Sequence, residues 1–154
     1  MMKITLSINT GLSVELNYEQ ATSILYELDD SPALADFFAE LANHRASQMR
    51  CIVAKKKCLP VHILEKLAND SHTDVVREIA QNKSALKIFG AELLISMMKR
   101  DFGVAFELVD NLSLIEDDTT HESVINFIQE SGDPELLRKV AKYHRSLTGS
   151  NTTV

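Results

Sequence analysis

Tryptophan is absent from this chain, and cysteine, proline and glycine are scarce: two, three and five residues among 154. Each shortage excludes something. Two cysteines, Cys51 and Cys58, cannot build a disulfide framework, and a chain of this size has core enough to do without one. They read as reduced, mostly buried thiols. The glycines, scattered at positions 11, 90, 103, 132 and 149, form no phosphate-binding loop. No apolar run approaches the ~20 residues that span a bilayer, so no membrane role is expected. Met1-Met2-Lys3-Ile4-Thr5-Leu6 alternates polar and apolar and lacks the continuous apolar core of a signal peptide. The cytoplasm is then the default location.

Chemistry-bearing constellations are equally thin. His44, His62, His72, His121 and His144 stand outside any motif. Cys58 and His62 lie four apart, but a structural zinc site presents a second close pair, and none exists here. The acidic run around Glu116 lacks the alternate-oxygen spacing and central glycine of a calcium loop. Nothing marks Cys51 or Cys58 as an activated nucleophile. Asp29-Asp30 and Asp117-Asp118 sit in turn-like contexts that suit helix caps. The expectation is a non-enzyme with no metal and no cofactor.

What is present is helical patterning. Hydrophobic content of 45% with 25% charged residues suits one globular domain. Ile4, Leu6 and Ile8, then Val14 and Leu16, alternate with polar residues around Asn9-Thr10-Gly11, which predicts a short β-hairpin with one buried face. Asn17 and Gln20 then form a capping-box pattern, and Ser31-Pro32 opens a second helix. Further short helices are expected near 48–56, 60–68, 74–81, 85–99, 102–111, 121–130 and 134–144. Ser47, Thr73, Ser84 and Asp133-Pro134 supply their start signals. Each is too short to stand alone, so neighbours must bury its apolar stripe.

These helices repeat. Leu41-Ala42-Asn43 returns 26 residues later as Leu67-Ala68-Asn69, Met49 returns as Val75, and Val53-Ala54 as Ile79-Ala80. A displaced copy lies at Pro134–Ala141. The alignment predicts Leu41, Met49, Val53, Leu67, Val75, Ile79, Leu136 and Val140 as core, with Ala54, Ala80 and Ala141 at close helix contacts. Fixed-period helical self-similarity is the signature of stacked repeats. Leu67-Ala68-Asn69-Asp70 followed by Val75-Val76-Arg77-Glu78-Ile79-Ala80-Gln81-Asn82 resembles the bacterial variant leucine-rich repeat, a relative in shape of HEAT repeats. The resemblance covers residues 41–89 and part of 128–143. It departs where the family often has proline after the asparagine, since Lys83 follows Asn82. It implies an all-α, HEAT-like α-solenoid of stacked short helices, here with a small N-terminal β-hairpin, and no common enzymatic activity. One domain over 1–145 is expected, the hairpin in 1–16 and stacked helices in 17–145, followed by a flexible tail over 146–154.

Charge is segregated. Residues 1–40 hold one lysine and seven carboxylates; 41–100 hold eleven Lys/Arg against five Asp/Glu; 101–154 hold four bases and ten acids. Segregated charge steers oppositely charged partners. Arg45, Arg50, Lys55, Lys56 and Lys57 are therefore candidates for a positive partner-binding patch, and Glu116, Asp117 and Asp118 for an acidic one. The favoured reading is a protein-interaction module, with a toxin-neutralising immunity protein or other small inhibitor as one form of it. The alternative is a nucleic-acid binder using residues 45–57, although no aromatic side chains interleave with those cations.

Overall fold

A computed structural model describes residues 3–148. The chain opens with an antiparallel ribbon, β1 (Thr5–Ser7) and β2 (Ser13–Glu15), in which Leu6 faces Val14. Gly11 turns it with φ near 83°, a conformation that favours glycine. Side chains alternate across a strand, so Ile4, Leu6, Ile8, Leu12, Val14 and Leu16 share one face. Only the base of that face is covered. Ile4 and Leu16 pack on the core, while Leu6, Ile8, Leu12 and Val14 are each at least half exposed. The expected buried face is thus confined to the ribbon's root, since only Ile4 and Leu16 lie close enough to the helices to pack on the core.

Helices occupy most of the rest. α1 (Tyr18–Glu27) starts at the Asn17–Gln20 capping box, with both reciprocal hydrogen bonds formed. A 3₁₀ turn at Pro32–Leu34, capped by Ser31, leads into α2 (Ala35–Leu41). There follow α3 (Ser47–Ala54), α4 (Val61–Ala68), α5 (Thr73–Ile79) and α6 (Lys83–Leu86). Then come α7 (Ala91–Arg100), α8 (Phe102–Asp110), α9 (Asp118–Ser131) and α10 (Pro134–Thr148). Among the described residues no helix is long and apolar enough to cross a membrane.

The helix expected over 85–99 is two helices. Asn82 caps α6, accepting from the Ser84 and Ala85 amides, and the chain breaks after Leu86 to turn Phe89 into the core. Gly90, in extended conformation, then starts α7. Ser47 and Thr73 are first helical residues rather than caps; Ala46 and His72 hold the cap positions without a side-chain bond. α9 begins earlier than residue 121 because Asp117 accepts from the Thr120 amide. Of the expected tail, 146–148 continue α10, and residues 149–154 lie outside the described residues.

Packing follows a regular order. α3 packs on α5, α5 on α8 and α8 on α10, while α2, α4, α7 and α9 each pack on the helix that follows or flanks it in that series. All eight aligned core positions are buried, as are Ala54 and Ala80. Ala141 is exposed, because Leu136 and Val140 set the inward face of α10. Helix C-termini leave carbonyls without intrahelical partners. Here a turn one or more helices further along supplies the donors. Lys56 Nζ donates to Leu28 O at 2.6 Å, and Asn82 Nδ2 donates to Ala54 O at 2.6 Å and Lys56 O at 2.9 Å. Donor and acceptor both shift by 26 residues between the first tie and the second.

Candidate functional site

The cations singled out from the sequence have structural work. Arg50 grips Asp70 with both ends of its guanidinium, Nε at 2.6 Å and Nη2 at 2.7 Å, and donates through Nη1 to His44 O and Arg45 O. The Arg50 and Asp70 side chains are 13% and 9% exposed. Burial opposes ionisation of Asp70, but the Arg50 hydrogen bonds outweigh it and hold the carboxyl below its usual range. Lys56 is buried, its ammonium 4.9 Å from the Phe38 ring centroid and spent on Leu28 O. Lys55 pairs with Glu78 at 3.4 Å and lies over the Tyr26 ring. Arg45 and Lys57 remain exposed. Arg50 and Lys56 therefore do not join a positive patch, because long cationic side chains reach inward for oxygens that the linear sequence leaves far away.

The acidic candidates separate in the same way. Glu116 pairs with Lys87. Asp117 caps α9 and accepts from the Thr119 hydroxyl and Thr120 amide, each at 2.7 Å, which lowers its carboxyl pKa. Asp118 opens α9. Both thiols are held protonated. Burial, followed by a hydrogen bond to Asp30, pushes Cys58 up to about 11, and burial raises Cys51. Neither is a thiolate nucleophile at neutral pH. Among the described residues no three His, Cys, Asp or Glu side chains gather as metal ligands.

A different surface gathers charge. α10 is started by Asp133, whose Oδ1 accepts from the Glu135 and Leu136 amides at 2.9 and 3.0 Å, with Pro134 at the first helical position. Leu136 and Val140 bury one face. On another, Arg138, Lys142 and Arg145 recur at i, i+4 and i+7, which aligns them along the helix. With Lys139, Tyr143 and Ser146 they line a groove of about 520 Å³ against Val109 and Asp110 of α8. No family, no curated protein and no solved structure matches this chain.

The α10 groove is ordered by Lys139. Its side chain is 16% exposed, pairs with Asp110 and donates to Phe106 O at 3.2 Å. A cation at the C-terminus of α8 also offsets the helix dipole. Arg138 is largely exposed and, among the described residues, pairs only with Glu135 of its own helix, at 2.8 Å. The cations at 138, 139, 142 and 145 are every base of the last third of the chain. Their i, i+4, i+7 spacing was visible in the sequence; their placement against α8 was not. Next to the groove, Arg77, Phe102, Gly103, Phe106 and Glu107 line a hollow of about 280 Å³. Arg77 reaches Asp101 at 3.0 Å there, and its buried Nε has no acceptor among the described residues.

Proposed function

We infer that this chain is a non-catalytic protein-interaction module, a short HEAT-like solenoid that holds an acidic partner on the side carrying α5, α8 and α10. The helix packing order and the two ties one 26-residue step apart support the solenoid reading. Protonated thiols and the thin catalytic inventory support a role in binding. The observation that carries the assignment of the surface is the α10 groove. It aligns Arg138, Lys142 and Arg145 along an exposed helix face, while Lys139, like Arg50 and Lys56, is spent inside the fold.

The test is fluorescence anisotropy with two labelled probes, a twelve-residue Asp/Glu peptide and a sixteen-base-pair DNA duplex. The peptide is expected to bind, to weaken as salt screens the groove, and to lose about tenfold or more in affinity to the double variant R138E/K142E. Tighter binding of the duplex, with a log–log salt slope of about −3 or steeper, would transfer the assignment to nucleic acid. Failure of both probes removes the assignment of this face.

A further inference from the structure

Phe102 and Phe106 lie one turn apart on α8, their ring centroids separated by 5.8 Å. Phe102 is 51% exposed, while Phe106 is partly buried against the core. The hollow beside them owes its floor to Gly103. A Cβ there would come within 2.5–2.9 Å of the Arg77 guanidinium, which lies against the first turn of α8. A lone exposed phenylalanine on a protein surface is unremarkable. What sets this one apart is its neighbourhood. The Lys139 ammonium lies 3.1 Å from the Phe106 ring centroid and belongs to the cationic groove. Phe106 and Lys139 thus form a common wall, with the two-phenylalanine hollow, edged by Arg77 and Glu107, on one side and a basic groove on the other.

The geometry points to a two-part docking surface for a short segment of a protein partner. An aromatic or branched aliphatic side chain seats against Phe102 and Phe106, and two or more carboxylates further along meet Arg138 and Lys142. This rests on the reading of the α10 groove as the site of an acidic partner, and adds what selects that partner. Packed helices lie about 8–10 Å apart, and an extended chain advances about 3.3 Å per residue. Anchor and carboxylates should therefore stand about three residues apart. Glu107 and Asp110 edge the same surface. They oppose a continuous row of phosphates more than a segment that brings apolar contact first and carboxylates only where the cations are. The anchor supplies burial that does not depend on salt, and the carboxylates supply orientation.

Three twelve-residue fluorescent peptides test this on the full chain: one with Phe three residues before Glu-Glu, one with Ser in place of that Phe, one with Lys-Lys in place of Glu-Glu. The first should bind at least tenfold more tightly than either of the others. F102S should lower affinity for the Phe peptide about tenfold and leave the Ser peptide unchanged, whereas K142E should weaken both acidic peptides. Phe102 is half exposed, so F102S should keep the wild-type circular dichroism and melt, which certifies the comparison. If the Phe and Ser peptides bind equally to wild type and to F102S, the hollow is not an anchor and the acidic-partner reading stands alone. If neither acidic peptide binds, both are overturned.

Discussion

A single guanidinium illustrates how this fold uses its charges. Arg50 satisfies Asp70 and two loop carbonyls, so truncating it strands a buried carboxylate and two acceptors at once. Breaking a buried pair from one side typically costs 3–5 kcal/mol. R50A should lose about 3 kcal/mol in urea titration, with an unchanged m-value if the unfolded state is unaffected. Charge reversal there would report on folding rather than on partner binding. Cys58 offers a second measurement. With its pKa near 11, the thiolate fraction at pH 8 is far below that of a free cysteine, and the greater intrinsic nucleophilicity compensates only in part. Iodoacetamide should alkylate Cys58 on the order of tenfold more slowly than a model thiol; a rate equal to the model's would show that the Asp30 contact is not held in solution.

Among the elements, α6 depends most on one side chain. Asn82 caps its first turn and ties back to the end of α3, so N82A removes a cap and two interelement bonds. The expected loss is about 3 kcal/mol, measured by urea titration. The ribbon should behave in the opposite manner. Leu6 and Val14 are half exposed, so the double change L6T/V14T should shift stability by no more than about 0.5 kcal/mol per site. L16A at the packed root should cost about 1–2 kcal/mol, part of the loss for a fully buried leucine. A large loss in L6T/V14T would mean that the ribbon's apolar face is covered in solution.

For the molecule as a whole, pH reads out the polar ties. Asp30 and Asp70 are lowered in the folded state, because thiol, amide and guanidinium donors outweigh burial. Depressed carboxyl pKa values contribute stability that is present above the unfolded value, near 4, and lost as pH falls through the folded values. Cys58 is raised from 9.0 to about 11, so its contribution is present below pH 9 and lost between about 9 and 11. The urea midpoint should be level from about pH 5 to 8 and fall on both sides. C58A should reduce the alkaline fall, leaving the share of Cys51, and should also reduce the acid fall, because Asp30 loses its thiol donor. Much of this architecture was legible in advance. The 26-residue alignment names Leu41, Val53, Leu67 and Ile79 as core because apolar periodicity survives folding unchanged. The break at Gly90 was hidden because Ile88 and Phe89 continue an apolar pattern. Arg50 and Lys56 were misread because their oxygens lie 20 and 28 residues away in sequence, and the α8–α10 surface needs helix packing to bring Phe106 beside Lys139.

The ties from Lys56 to Leu28 and from Asn82 to Ala54 have a consequence for how such a chain can change length. At these two helix ends the donor comes from a point 28 residues further along. Inserting a whole block of 26 residues at the 66/67 junction presents each waiting carbonyl with a donor in the same place. Inserting half a block leaves one carbonyl unserved and aims one donor at solvent. A duplication that preserved these two ties would therefore add 26 residues at a time, a step set by the reach of one lysine and one asparagine.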